Sequence, residues 1–77
     1  FLATYYAPQN IRFNTVSPGA IDNNQNPKFK NKINKLIPMN RMGKTKELTG
    51  IITHLLSDES TYTTGTNILI DGGRSIW

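Results

Sequence analysis

The run Ile11-Arg12-Phe13-Asn14-Thr15-Val16 leads into Ser17-Pro18-Gly19 and continues as Ala20-Ile21-Asp22-Asn23. β-Branched and aromatic side chains favour the pleated state, Pro18 cannot donate to a sheet ladder, and Gly19 allows backbone angles that a side chain forbids. The pattern predicts a buried strand over residues 11–16 that ends near Ser17 and feeds a loop. Alternation puts Ile11, Phe13 and Thr15 on one apolar face and Arg12, Asn14 and Val16 on the other. Asn14 either bonds backbone beside a ligand loop or is satisfied for structural reasons alone. The structural role is favoured, because a buried amide needs hydrogen bonds wherever it sits. In a parallel α/β sheet ligands sit beyond the carboxyl ends of the strands, which makes the turn after this strand the first candidate site.

The flanking segments complete the unit. Residues 1–6 favour a helix that Ala7-Pro8 halts, since the residue before a proline is pushed out of the helical region. After the turn, residues 22–27 hold three Asn, Gln25, Asp22 and Pro27, a loop composition predicted to be mobile. Phe29, Ile33 and Leu36 then recur at i, i+4 and i+7, with Lys28, Lys32 and Lys35 on another side, which predicts a short amphipathic helix with a buried apolar face. Such a helix is marginal alone, and with its loop it has the makings of a lid over about residues 22–37. A connector over residues 37–43 contains Pro38 and Gly43, with Met39 and Met42 as gap fillers. Residues 44–57 form the clearest helix, whose stripe of Leu48, Ile51, Ile52, Leu55 and Leu56 must cover a sheet. Gly50 inside it predicts close packing against a neighbour. A second short strand over residues 67–71 is stopped by Gly72-Gly73. Strand, helix, strand implies a parallel, right-handed crossover whose two strands need not be adjacent.

Composition narrows the function classes. A chain of 77 residues, 36% hydrophobic and without cysteine, has neither a disulfide framework nor thiolate metal ligands to support a thin core. His54 is the single histidine, so no metal site is expected and a structural role outweighs a catalytic one. No apolar run approaches the roughly 18 residues needed to cross a bilayer, and no secretory signal is present, which predicts a soluble, cytoplasmic protein without a membrane partner. The formal charge is +4, and Lys28, Lys30, Lys32 and Lys35 crowd one segment. They are either a solvated helix face or a patch for an anion or nucleic acid. The opening Phe1-Leu2-Ala3 reads as the last turns of a helix from a longer protein.

Seven pieces, in order, resemble the C-terminal third of the short-chain dehydrogenases/reductases: Tyr6-Ala7-Pro8; Ile11-Arg12-Phe13-Asn14; Val16-Ser17-Pro18-Gly19-Ala20-Ile21; Ile37-Pro38 with Arg41-Met42-Gly43; Glu47-Leu48 through Leu55-Leu56-Ser57-Asp58; Tyr62 with Thr64-Gly65; and Ile70-Asp71-Gly72-Gly73. The resemblance implies the last two strands and flanking helices of a Rossmann-type doubly wound parallel sheet, and hydride transfer between NAD or NADP and a carbonyl or alcohol. It implies cofactor contacts at Pro18, Gly19, Ala20, Ile21 and Asn23, with the Ile21 backbone bonding the nicotinamide carboxamide. Asn23 stands where the family often has a Thr hydroxyl. The rigid Pro18-Gly19 turn would let backbone approach the flat ring closely.

The family's Gly-rich phosphate turn, catalytic Ser and Tyr-x-x-x-Lys pair have no counterpart in these residues: four positions after Tyr5, Tyr6 and Tyr62 stand Gln9, Asn10 and Thr66. Without that pair the chain alone lacks a general acid for the carbonyl oxygen and is expected to be inactive. The 23–25 loop and the ending resemble members that modify surface sugars or flagellin, which implies a sugar-derived substrate, and the family resemblance as a whole implies a homo-oligomer, commonly a tetramer. Two rival readings are a small basic module for nucleic acid or anions and a non-catalytic oligomerisation fragment. The first requires aromatics interleaved with cations, and the spacing of Phe29 assigns it to the apolar face, so nucleic acid is not the expected partner.

Overall fold

The computed structural model describes residues 1–76. Trp77, for which the sequence offers an interface contact or internal packing, lies outside the described residues. The architecture is α/β. Strand β1 (Thr15–Pro18) pairs in parallel with β2 (Asn67–Ile70), in a register running from Thr15 opposite Asn67 to Pro18 opposite Ile70. Helix α1 (Leu2–Tyr6) precedes β1, and helices α2 (Pro27–Asn34) and α3 (Thr45–Leu56) lie in the crossover between the strands. The sequence left adjacency open, and the structure makes the strands direct neighbours.

Two boundaries differ from expectation for identifiable reasons. Strand pairing begins at Thr15 rather than Ile11, because residues 11–14 face the connector before β2 and bond to it largely through side chains. Phe13 N donates to Thr64 Oγ1, Asn14 Nδ2 donates to the Thr63 carbonyl, and Thr66 N donates to Asn14 Oδ1. The Asn14 amide thus replaces a rung of the ladder, the structural role favoured for it. At the front, Pro8 does not halt the helical path at Ala7. The chain continues as a 3-10 turn, Ala7–Gln9, whose first positions tolerate a missing N–H, and leaves it at Asn10 with φ 60°.

The faces of the first strand also invert. Arg12, Asn14 and Val16 are half-buried and line a cleft with Ile52, Leu55 and Leu56 of α3, whereas Ile11 and Phe13 are exposed. Leu48, Ile51 and Leu55 are the half-buried part of the α3 stripe, while Ile52 and Leu56 are exposed at the rim of that cleft. Gly50 packs against nothing, since a Cβ there would meet no atom within 4 Å. Helix α2 ends before Leu36, and both Leu36 and Phe29 are exposed rather than on a buried face.

Among the described residues the buried apolar side chains are Ala3, Ile37 and Met42, and Ser60 is the buried polar one. Met42 therefore packs as expected, whereas Met39 is exposed. The radius of gyration is 15.4 Å, against about 11–12 Å for a compact domain of this length. Among the described residues no helix is long and apolar enough to cross a membrane.

Close packing is found where the two strands end. Gly19 N donates to the Ile70 carbonyl (2.9 Å), and a Cβ on Gly19 would fall 2.7 Å from Asp71 Cβ and 2.9 Å from Asp71 Cα. Gly72, at φ 64°, carries no Cβ where one would meet Ile37 Cγ2 at 2.7 Å. Chemical denaturation should therefore separate two glycine substitutions. Gly19→Ala is expected to cost about 1–3 kcal/mol through overpacking, and Gly50→Ala to stabilise by about 1 kcal/mol through helix propensity alone. Equal midpoints for the two variants would contradict this packing.

Candidate functional site

The turn beyond β1 is held on two sides. On one, Pro18 and Gly19 extend the pairing with β2. On the other, Gly43 N donates to the Ala20 carbonyl (2.9 Å) and Asp22 N donates to the Gly43 carbonyl (2.8 Å), a short parallel bridge that sets Ile21 beside Gly43. Ala20, Ile21, Met39, Arg41, Gly43, Glu47 and the 70–72 segment enclose a small cleft of ≈ 90 Å³. Pro18, Gly19, Ala20 and Ile21 are thus contiguous at the carboxyl end of the sheet, where the topology places ligands. The missing side chain at Gly19 makes room for Asp71, a packing demand that the sequence did not announce.

Beneath the turn, one carboxylate joins connector to helix. Glu47 Oε1 accepts from the Lys44 backbone N–H (2.8 Å) at the start of α3, and the Arg41 guanidinium grips Glu47 with two bonds, Nη1 to Oε1 at 2.9 Å and Nη2 to Oε2 at 3.0 Å. A forked pair of this kind fixes direction as well as distance. The Arg41 bonds, then the Lys44 N–H, hold the Glu47 carboxyl down to about 2. Asp71 is likewise held below the ordinary carboxylate range, by the Ser75 side chain first and then the Gly73 N–H.

The loop after Ile21 closes on itself. Gln25 Nε2 donates to the Ile21 carbonyl (3.0 Å), Asn23 N donates to Gln25 Oε1 (2.8 Å), and Asn24 N donates to Asp22 Oδ1 (3.1 Å) with Asn24 at φ 59°. Among the described residues nothing accepts from the Ile21 N–H. Asn23 is exposed, and its backbone rather than its amide makes the local bond. Lys30 Nζ lies 2.9 Å from Asp22 Oδ1, ties α2 back to this loop, and is the main reason the Asp22 carboxyl sits below its ordinary value. Asn26 caps α2 by accepting from Lys28 N at 2.8 Å. Sequence reasoning missed Gln25, whose one signal is a long amide side chain within reach of the turn.

Lys30, Ile33 and Asn34 form the half-buried side of α2, whereas Lys28, Lys32 and Lys35 are exposed on the opposite side. With Asn26, Asn31 and the exposed ring of Phe29 they line an open groove. The lysine stripe therefore faces away from the turn. Phe29, which the spacing places on a buried face, lies among those cations. His54 Nδ1 stands 3.5 Å from Glu59 Oε2 at the surface. Among the described residues no cluster could hold a metal.

Comparison with known proteins matches residues 1–75 to the family model described as enoyl-(acyl carrier protein) reductase. D-arabinitol 2-dehydrogenase (ribulose-forming) of Candida tropicalis is 42% identical over 84 residues, covering 99% of this chain and 30% of that protein. NADP-dependent mannitol dehydrogenase of Hypocrea jecorina is 47% identical over 66 residues, covering 80% of this chain and 25% of that protein. A crystal structure of a short chain dehydrogenase from Leptospira borgpetersenii with bound NAD+ superposes with a TM-score of 0.87 at 44% identity, over 96% of this chain and 29% of that one. The chain thus spans about three tenths of the length of the relatives it matches.

The Arg41–Glu47 clamp yields a pH prediction. A carboxyl lowered from 4.5 to about 2 on folding contributes stability above pH 4.5 that is lost as pH falls toward 2. Glu47→Gln should lower the denaturation midpoint at pH 7 and flatten its fall between those pH values. A variant with an acid limb as steep as the parent's would contradict the assignment.

Proposed function

The chain belongs to the short-chain dehydrogenase/reductase family, and we propose that its Pro18–Ile21 turn forms the nicotinamide side of a dinucleotide site in an NAD- or NADP-dependent oxidoreductase. The observation that carries this reading is the Ile21 main chain. It presents an N–H without a partner among the described residues and a carbonyl already satisfied by a primary amide, at the carboxyl end of a parallel sheet. A nicotinamide carboxamide offers the same donor and acceptor pair. Pro18, Gly19 and Ala20 position that residue, and Asn23 follows on the rim. The cofactor supplies the hydride chemistry, and this chain's contribution is to hold its carboxamide end.

The substrate is proposed to be a small alcohol or carbonyl compound of the polyol class, supported by relatives named for arabinitol and mannitol. An anionic substrate meeting Lys28, Lys32 and Lys35 draws no support from their outward orientation. Residues 22–37 act as the lid on the substrate side, tethered by Asp22–Lys30. These 77 residues are read as one portion of a single nucleotide-binding domain. Ile52 and Leu56 on α3 and Leu69 on β2 are exposed apolar side chains suited to contact between copies in a homo-oligomer such as a tetramer. A chain without cysteine suits the reducing cytoplasm.

Because no Tyr-x-x-x-Lys pair occurs in these residues, the chain alone is proposed to be inactive. Purified 77-residue chain should show no nicotinamide reduction with polyols and either dinucleotide, while the oxidoreductase that carries it should turn over. Measurable turnover by the chain alone would overturn the assignment of catalysis to other residues.

A further inference from the structure

We propose that Gln25 is a built-in stand-in for the cofactor's carboxamide, which occupies the Ile21 carbonyl and is displaced when the dinucleotide binds. The inference rests on the reading of Ile21 as the nicotinamide-end contact. A carbonyl only accepts and an N–H only donates, so the two bonds made by Gln25 fix its amide in one orientation, Nε2 toward the Ile21 oxygen at 3.0 Å and Oε1 toward Asn23 N at 2.8 Å. The group so held is a primary carboxamide, the same functional group that nicotinamide carries. It sits on the loop that leaves the turn, four residues from its acceptor.

The arrangement has a cost and a use. An unpaired carbonyl at a half-buried position loses hydrogen-bond energy that the Gln25 amide restores. The Ile21 residue is half-buried, as is Gln25. The cofactor's carboxamide must then exchange one amide for another, which lowers its apparent affinity by the fraction of molecules in which the Ile21 carbonyl is open. Displacement also frees Asn23 N–H and releases the one side chain that folds the 22–26 loop back on Ile21. Cofactor binding and the conformation of the 22–26 loop are thereby coupled through Gln25. Asp22–Lys30 and the Asn26 cap hold α2 independently of Gln25, so the helix survives the exchange.

The test uses the whole oxidoreductase that carries this chain, with equilibrium binding of NAD+, NADP+ and ADP-ribose measured by calorimetry for the parent protein, Gln25→Ala and Gln25→Met. Methionine keeps the length of the side chain and removes the amide. Both variants are expected to bind the preferred dinucleotide about 3- to 10-fold more tightly, the worth of one net hydrogen bond. ADP-ribose, which has no carboxamide, should bind all three proteins equally. Unchanged or weaker dinucleotide binding in the variants, with ADP-ribose unaffected, overturns the stand-in role and leaves the dinucleotide site intact. A parallel change in ADP-ribose affinity also overturns it, because Gln25 would then support the loop as a whole. If the parent protein binds neither dinucleotide, the reading of Ile21 fails and the inference falls with it.

Discussion

The close approach of Gly19 to Asp71 is the contact on which the other features depend. Asp71 Cβ occupies the space where any other residue at position 19 would place its own, so the turn after β1 and the turn after β2 meet backbone to backbone. That contact brings Gly72 against Ile37 and sets the 37–43 connector beneath the turn, where Gly43 bridges to Ile21. The candidate site is thus built from three chain segments distant in sequence. Ile37 and Met42, two of the buried apolar side chains among the described residues, belong to that connector, so the site and the core coincide.

The strand, turn and helix pattern was legible because each piece carries its own local signal: β-branched residues before Pro18, an apolar stripe in α3, and glycines after Ile70. The parallel pairing followed from the intervening helices. What could not be read were the features set by partners in space. The inward face of residues 11–16 depends on which side α3 covers, and nothing in alternating apolar and polar residues says that Arg12 and Asn14 turn inward toward it. Both are compensated there by the Thr63 carbonyl, and Arg12 also by Ser60.

The same limit explains the glycines and helix α2. Gly19 and Gly50 look alike in sequence, yet one is demanded by a backbone neighbour and the other meets nothing. Helical spacing grouped Phe29 with Ile33, but only Ile33 is shielded, because α2 rests on the protein over a narrow side that includes Lys30 and Asn34. A spacing rule gives the angle between side chains and not the direction of the protein. Gln25 lay in a loop whose composition spoke only for mobility, while its long amide reaches back to a carbonyl four residues earlier.

Two side chains converge on one atom at the Thr63 carbonyl, which accepts from Asn14 Nδ2 at 3.0 Å and from Arg12 Nη1 at 3.3 Å. A carbonyl oxygen has two lone pairs and both are in use, so losing either donor leaves it bonded to the other. Single replacements at positions 12 and 14 therefore understate what the pair does, and the double replacement costs more than their sum. The redundancy stops at that oxygen, since Thr66 N depends on Asn14 alone and the Arg12 contact with Ser60 has no second donor from position 14.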